Sequence, residues 1–386
     1  MNKKKESPRS TKSKALLIFC AAALVAGAAF VFAYGALPQL LSVSYSETIS
    51  TATSTASGVK LPPPPPPLDK LAYNLKLLSL AHVATSTLWY QAFLQGTTTI
   101  TQPGATTTTK VAKKSWPTTQ PYPADGRALL PFNRIVAYYG NFYAKGMGVL
   151  GQYPPDVMIP KLQAAAAQWA AADPSTPVIP AIDYIAVVAQ GSAGADGKYR
   201  ARMPDSQIDE ALSLAAQVNG IVVLDVQVGL SNLQTEIPLL ESYLKLPNVH
   251  LAIDPEFAMH NGTPPGRVIG SFDATDVNYT IGYLSSLVQK YNIPPKILVV
   301  HRFTEDMVTN VDKIQPSPQV QLVMDMDGWG GQAKKIGTYT YVVAAEPVQF
   351  TGFKLFYKND ILASTTMLTP KQVLDLTPAP VFIQYQ

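Results

Sequence analysis

Three apolar runs of the sequence end in pairs of polar residues that are separated by one position. These pairs are Asp225 with Gln227, Asp254 with Glu256, and Asp325 with Asp327. Burying several carboxylates together costs desolvation and mutual repulsion, so the pattern has no stability rationale. It therefore predicts a functional site.

Crowded carboxylates push one another's pKa values apart, so that one stays protonated near neutral pH while its neighbour is ionised. Glycoside hydrolysis requires such a pair. We expect Glu256 to be the proton donor, with Asp254 orienting it and raising its pKa. Asp325 or Asp225 would then be the second carboxylate, acting as base, nucleophile or stabiliser of an intermediate.

Further side chains near the ends of the runs predict a substrate-binding ring. The polar members are Asp183, Tyr139, Gln227, His301, Asp327 and Gln384. The aromatic residues expected to stack on sugar rings are Tyr138, Tyr139, Phe257, Trp329 and Phe356. A non-catalytic carbohydrate- or envelope-binding barrel would use the same ring, and it is the alternative from another functional class.

The individual motifs also have structural interpretations. Pro255 could end its strand, with Asp254 and Glu256 acting as capping residues, and the acids before GWGG could cap a turn. His301 is expected to hydrogen-bond a neighbouring acid rather than to ligate a metal.

A divalent metal is the second chemical interpretation, because Asp225, Asp254, Glu256 and Asp325 could offer oxygen ligands to Mg²⁺ or Ca²⁺. Zinc is disfavoured, since the 4 histidines form no H-x-H or H-E-x-x-H pair. The sequence has no G-x-S-x-G motif and its only cysteine is Cys20, so a Ser or Cys nucleophile has no support. We predict no cofactor, and keep a metal-dependent hydrolase as an alternative.

The elements that must position these residues are eight apolar runs that alternate with helical segments. The runs are RIVAYYG, PVIPAIDYIAVVA, GIVVLDVQ, VHLAIDPEF, KILVVHRF, VQLVMDMD, FKLFYK and PVFIQYQ. Continuous apolar strands that are each followed by a helix are typical of a parallel sheet covered by helices. Eight such units predict an α/β fold, a (β/α)₈ TIM-type barrel over residues 126–386, with the acids at its C-terminal face.

Two points of this fold prediction stay open. The segment KKIGTYTYVVAAEP in the seventh unit could be helix or strand. A doubly wound open sheet is the alternative fold, although no Gly-rich phosphate loop follows the first strand. Helix starts are marked by Pro155 with Asp156, by Pro204 with Asp205, and by Thr369 with Pro370.

The N-terminal part predicts a membrane anchor. The formal net charge is +4, of which residues 1–14, a cytoplasmic basic tail, contribute +5 and the remaining chain −1, so nothing beyond the tail suggests nucleic acid. Residues 15–33 are uncharged and would span about 28 Å as a helix. We predict a transmembrane anchor over 15–36, and the alternative is a cleaved signal peptide that releases a secreted protein.

A linker and a short segment separate this anchor from the barrel. Residues 37–67 are rich in Ser, Thr and Pro and end in a proline run, which predicts a disordered or extended stalk. In the juxta-barrel segment 68–125, Leu68, Leu71, Leu75 and Leu78 have helical spacing and predict a helix that docks on the barrel or on a partner. The C-terminal domain would face outward from the cell membrane.

The motifs LLPFNRIVAYYGN, GMGVLGQYPP, VLDVQVG, LAIDPEF, ILVVHRFTEDMV, VMDMDGWG, GFKLFYKND and IQYQ resemble a family of anchored or secreted bacterial proteins of Patescibacteria-type and actinobacterial genomes. The resemblance covers residues 126–386 and implies an extracytoplasmic barrel, but no reaction. The D-x-E of the fourth run is more loosely similar to lysozyme and chitinase barrels, in which the Glu is the proton donor. That similarity implies the same role for Glu256, although the longer D-x-x-D-x-D-x-E signature is absent.

The sequence thus predicts a membrane-anchored glycoside hydrolase-like barrel that acts on cell-envelope or extracellular polysaccharide. Its expected partners are a glycan substrate and the membrane.

Overall fold

The computed structural model describes residues 63–84, 99–101, 108–110, 116–118 and 120–386. Eight parallel strands form the centre of the fold, and they coincide with the eight apolar runs. They are β1 (Arg134–Gly140), β2 (Val178–Ala189), β3 (Ile221–Val226), β4 (Val249–Ile253), β5 (Lys296–Arg302), β6 (Val320–Met326), β7 (Phe350–Leu355) and β8 (Phe382–Tyr385).

The sheet closes on itself. Each strand pairs in parallel with its sequence neighbours, and β8 pairs with β1, for instance Gln384 with Ala137. The short strand Arg200–Arg202 adds an antiparallel pairing to β2. This closed order is a (β/α)₈ barrel, so the predicted fold class is confirmed for the barrel and the open-sheet alternative is wrong.

The helices are numbered in chain order. They are α1 (Lys70–Leu80), α2 (Val149–Gln152), α3 (Pro155–Ala172), α4 (Asp205–Gln217), α5 (Leu233–Glu236), α6 (Glu241–Leu244), α7 (Ala274–Tyr291), α8 (Gln332–Thr338), α9 (Asn359–Ala363) and α10 (Pro370–Leu374). The three predicted start signals open α3, α4 and α10. The open segment of the seventh unit is helical, since α8 continues into a π-helical turn, Tyr339–Val343.

Smaller elements lie in the connections. They are the 3₁₀ turns Ile237–Leu240, Pro255–Phe257, Glu305–Met307 and Val311–Lys313, the paired strands Phe272–Asp273 and Val308–Thr309, and the antiparallel pair Thr99–Thr101 with Thr108–Lys110.

Alternation along the strands divides the barrel residues between two cores. Outward residues such as Val136, Ile182 and Leu224 pack against the helices. Inward residues such as Ile135, Val223 and Val299 fill the barrel axis near the N-terminal ends of the strands. The same parity carries inward polar residues further along each strand, toward the C-terminal ends.

Helix α1 closes the N-terminal end of the barrel. It begins after Asp69, whose side chain accepts a hydrogen bond from the Ala72 amide at 2.9 Å. Tyr73, Leu77 and Leu80 of this helix pack on the inward core. The helix therefore docks on the barrel, but its predicted apolar face is partly wrong, because Leu71 is 61% exposed. Leu75 is exposed as well, whereas Leu78 is buried as expected.

The predicted cytoplasmic tail and membrane anchor, and most of the predicted stalk, lie outside the described residues. Within the described ranges, no helix combines the length and apolar character needed to cross a bilayer. The last prolines of the run are described, and Pro66 accepts a hydrogen bond from the Gly126 amide at 2.7 Å.

Candidate active site

A cavity of about 520 Å³ opens at the C-terminal ends of the barrel strands. Its wall combines carboxylates, aromatic rings and two lysines. The lining includes Tyr139, Gln227, Asp254, Glu256, Phe257, Phe303, Asp327, Trp329, Lys334, Lys354 and Phe356.

The D-x-E motif does not continue its strand. Strand β4 ends at Ile253, and Pro255 opens a 3₁₀ turn whose N-cap is Asp254. Asp254 Oδ1 accepts a hydrogen bond from the Glu256 backbone N–H at 3.0 Å. The capping interpretation is therefore correct for Asp254, and this cap holds the Glu256 backbone where its half-buried side chain reaches the cavity.

Glu256 has the electrostatic surroundings of a proton donor. Burial, followed by the nearby negative charge of Asp327, raises the pKa of Glu256 to about 7. A carboxyl group with this pKa carries a proton in a large fraction of molecules at neutral pH, and it can still release and regain it.

Asp327 lies just past the end of β6 and is paired with a buried lysine. Its Oδ1 is 2.9 Å from Lys354 Nζ, and both side chains are almost fully buried. The same ammonium lies 3.8 Å from the centroid of the Tyr139 ring, within the range of a cation–π contact. Lys354 thus neutralises Asp327 and fixes its position on the cavity wall.

Gln227 links Tyr139 to Asp254 on the cavity wall. Its Nε2 donates to Tyr139 Oη at 3.1 Å and to Asp254 Oδ2 at 3.3 Å. Its Oε1 accepts from the Ala189 amide at 3.1 Å, which fixes the orientation of the side-chain amide. Burial, together with the charges of Asp225, Asp327 and Glu256, raises the pKa of Asp254 well above its usual value, despite the opposing charge of His301.

A second tier of polar residues lies beneath the cavity floor, around His301. Its Nε2 donates to Asp225 Oδ2 at 3.1 Å and its Nδ1 to Asp325 Oδ2 at 3.2 Å. Burial opposes the charged imidazolium, but these hydrogen bonds and the charge of Asp327 outweigh it and raise the pKa of His301 well above its usual value. The predicted contact of His301 with neighbouring acids is confirmed.

Gly352 makes room for this tier. A Cβ atom at this position would lie 2.4 Å from Asp325 Oδ1, so only glycine allows the carboxylate to approach β7. Nearby, Gln384 Nε2 donates to Asp183 Oδ2 at 2.5 Å. Burial and the charge of Asp225 raise the pKa of Asp183 to about 8.

The structure separates the predicted site residues into these two tiers. Those on the cavity wall are Tyr139, Gln227, Asp254, Glu256, Asp327 and Trp329. Those beneath it, with no exposed surface, are Asp183, Asp225, His301, Asp325 and Gln384. Of the predicted stacking residues, Tyr138 faces away from the cavity, and its hydroxyl lies 3.0 Å from that of Tyr357.

Sequence reasoning missed Lys354, Phe303 and Lys334. The sequence does contain an indication of Lys354. It is the only charged residue in the apolar run FKLF, and the alternation of side chains along the strand places it on the inward face. Phe303 and Lys334 lie in connections after β5 and β6, where no strand periodicity indicates direction.

A metal interpretation involves a different set of acids from the predicted one. One oxygen each of Asp254, Glu256 and Asp327 lies within 4.8 Å of the others. This spacing suits a hard divalent cation. However, Asp327 is already neutralised by Lys354, while Asp225 and Asp325, two of the four predicted ligands, hold His301.

No protein-family model and no curated protein matches the chain. Among solved structures it is similar to the cellulase Cel5C_n, with 14% identity and a TM-score of 0.34, over 58% of this chain and 65% of that one. The chain thus spans less than two thirds of that cellulase. The resemblance to the bacterial family named above stays a prediction.

Two further solved structures are similar to the chain. The GH5 xyloglucan-specific endo-β-1,4-glucanase XEG5A from a metagenomic library, in complex with cellotriose, shows 10% identity and a TM-score of 0.33, over 60% of this chain and 78% of that one. The GH5-4 broad specificity endoglucanase from an uncultured bovine rumen ciliate shows 10% identity and a TM-score of 0.31, over 53% and 72%.

Proposed function

We propose that the barrel is a glycoside hydrolase that cleaves a cell-envelope or extracellular polysaccharide through Glu256 and Asp327. The observation that carries this proposal is the pairing of these two acids in one cavity. Glu256 has a pKa of about 7, and Asp327 is ion-paired with Lys354. The surrounding Trp329, Phe257 and Phe356 supply aromatic faces of the kind that stack on sugar rings.

Asp327 replaces Asp225 and Asp325 as the second carboxylate in this proposal. The latter two have no exposed surface and are hydrogen-bonded to His301, so a sugar in the cavity would meet Asp327 instead. Oxygen atoms of Glu256 and Asp327 lie within 4.8 Å of each other. Retaining glycosidases hold their two carboxyl groups about 5 Å apart, and inverting ones hold them at about 6.5–9.5 Å.

This upper limit on the oxygen–oxygen distance is closer to the retaining range, and we therefore propose a two-step mechanism. Asp327 attacks the anomeric carbon while Glu256 protonates the departing glycosidic oxygen, which leaves a glycosyl ester on Asp327. Glu256 then removes a proton from water, and the resulting hydroxide displaces Asp327 and releases the sugar with its original anomeric configuration. Asp254 keeps Glu256 in place through the hydrogen bond to its backbone N–H.

The first test compares the full-length protein with its Glu256→Gln variant on a panel of soluble and insoluble polysaccharides, by release of reducing ends. We expect the variant to lose about 10²–10⁴-fold in rate, because it cannot donate a proton. It should still bind the polysaccharide that the wild type cleaves. Glu305→Gln, a change of an exposed carboxylate outside the cavity wall, is the matched control and should keep full activity.

The outcomes separate the alternatives. A wild-type protein that binds a polysaccharide but releases no reducing ends is a binding module, which contradicts the proposal. Activity that is abolished by a chelator and restored by Mg²⁺ or Ca²⁺ would instead favour the metal-dependent hydrolase, for which the three clustered oxygens are the supporting observation. Anomeric configuration, followed by NMR during early turnover, tests the predicted retention.

A further inference from the structure

One part of the cavity wall combines an exposed aromatic ring with an exposed cation. Trp329 follows β6 and is 53% exposed, and Lys334 belongs to α8. Both line the cavity, and Lys334 Nζ lies 5.4 Å from the centroid of the Trp329 ring system. The indole face and the ammonium group are therefore presented together to whatever occupies the cavity.

The intervening loop is shaped around the lysine side chain. Gly330 has φ +143°, and a Cβ atom there would lie 3.0 Å from Lys334 Cδ and 3.7 Å from its Nζ. The Gly330 amide donates to Asp360 Oδ1 at 3.0 Å, which fastens the loop to α9. A side chain at position 330 would crowd the Lys334 side chain and adopt a backbone conformation that favours glycine.

Lys334 differs from the other two lysines nearby in its electrostatic partners. Lys335 Nζ is 2.9 Å from Asp360 Oδ2 and also donates to two backbone carbonyls, and Lys354 is paired with Asp327. Among the residues that the structure describes, no carboxylate oxygen lies within 4.0 Å of Lys334 Nζ. Of the two lysines that line the cavity in the described part of the chain, Lys334 is therefore the one without an ion pair.

We infer that Trp329 and Lys334 form a subsite for a sugar ring that bears a carboxylate, so that the substrate of the proposed hydrolase is an acidic polysaccharide. The inference rests on the proposed function. The indole face would contact the C–H face of the ring, while the ammonium pairs with the carboxylate. A neutral sugar would use the aromatic face alone and leave Lys334 without a role.

The acids of the cavity do not prevent an acidic sugar from binding. Asp327 is neutralised by Lys354. Burial raises the pKa of Glu256 to about 7 and that of Asp254 well above its usual value, so both carry less negative charge at neutral pH than exposed carboxylates do. Lys334, which has no ion pair among the described residues, therefore remains free to pair with a carboxylate on the ligand.

The test measures binding in the Glu256→Gln background of the full-length protein, so that hydrolysis does not consume the ligand. The probes are oligogalacturonate, oligoalginate and hyaluronan oligosaccharides, each compared with its own carboxyl-reduced form. We expect at least one acidic probe to bind more tightly than its reduced form. Lys334→Met should weaken that binding by about fivefold and leave the reduced probe unaffected.

Further variants identify the cause of the loss. Lys334→Arg should retain most of the preference, and about 0.5 M salt should remove it. Lys161→Met is the matched control, because Lys161 Nζ lies 4.9 Å from the Tyr153 ring but outside this cavity. Trp329→Ala should weaken acidic and reduced probes alike.

Two results would overturn the inference. One is a wild-type cavity that prefers no acidic probe over its reduced form, and the other is a Lys334→Met loss that is equal for both forms. Either result leaves the proposed function intact if neutral polysaccharides are cleaved in a Glu256-dependent manner. Failure of the proposed function would appear separately, as binding without any release of reducing ends.

Discussion

The two ends of the barrel bury polar side chains in different ways. At the N-terminal end, Gln321 accepts hydrogen bonds from the Leu129 and Leu130 amides, and Lys296 donates to two backbone carbonyls. At the C-terminal end, one oxygen in each of three aspartates has no hydrogen-bond partner among the described residues. They are Asp183, Asp225 and Asp325.

At the N-terminal end, Tyr73 Oη and His250 Nε2 also have no hydrogen-bond partner within the described ranges. Neither of these groups is an acid, however, and the helix α1 covers that end with apolar side chains. In the described part of the chain, the end that opens into the cavity holds several carboxylates around one imidazole, whereas the buried Asp125 toward the other end has its own partner, Arg127. One end of the barrel is therefore organised for stability, and the other retains costly groups that chemistry can use.

The largest effect is expected from removing the cation of the lower tier. His301→Leu leaves Asp225 and Asp325 buried without their shared partner, so we expect a loss of about 4 kcal/mol in the free energy of unfolding. Urea denaturation measures this. The exposed His260 is the matched control, and His260→Leu should cost about 1 kcal/mol or less. Equal stability of His301→Leu and the wild type would contradict the assigned role of this tier.

A smaller loss is expected at the other end. Leu77 is 2% exposed on α1, and Leu77→Ala should cost about 3 kcal/mol through lost burial and the cavity left behind. Leu71→Ala, on the same helix but 61% exposed, should change stability by less than about 0.5 kcal/mol. Activity per folded molecule should be unchanged in both variants. A change in activity without a change in stability would show that the two ends are not separate.

Much of the fold could be predicted from the sequence, because parallel strands are buried on both faces and read as apolar runs. Asp183, Asp225 and Asp325 lie within strands, so their inward direction follows from strand parity. Their depth does not follow from parity, since it depends on how far each strand extends past its neighbours. The apolar segments of the sequence therefore predict a ring of acids, but they do not show that three of these acids lie beneath the cavity.

The cavity wall itself was less predictable. Glu256 reaches it from a 3₁₀ turn rather than from a strand, so the alternation of side chains along a strand does not explain its position. Lys334 and Phe303 come from connections whose course depends on tertiary packing, such as the hydrogen bond from Gly330 to Asp360. Pairing between distant residues, such as Asp327 with Lys354, leaves no local pattern in the sequence.

The smallest predicted effect is on how stability depends on pH. Buried titratable groups at the two ends should change the free energy of unfolding in opposite directions as pH rises. Burial raises the pKa of Asp183 from 3.8 to about 8, so the folded state binds more protons than the unfolded state between these values. Its contribution to stability therefore falls as pH rises through this range. Burial lowers the pKa of Lys296 from 10.5 to about 7, so the unfolded state binds more protons there. Its contribution rises with pH between about 7 and 10.5.

Differences between the wild type and single variants isolate these two contributions from those of the other titrating groups. The stability of the wild type minus that of Asp183→Asn should decrease by about 2 kcal/mol from pH 4 to pH 8. The corresponding difference for Lys296→Met should increase by a similar amount from pH 7 to pH 10.5. Because both groups are buried and favour their neutral forms, only the opposite charges of an acid and a base can give these opposite slopes. Slopes of the same sign would mean that one of the two groups is charged in the folded protein, and the contrast between the two ends would fail.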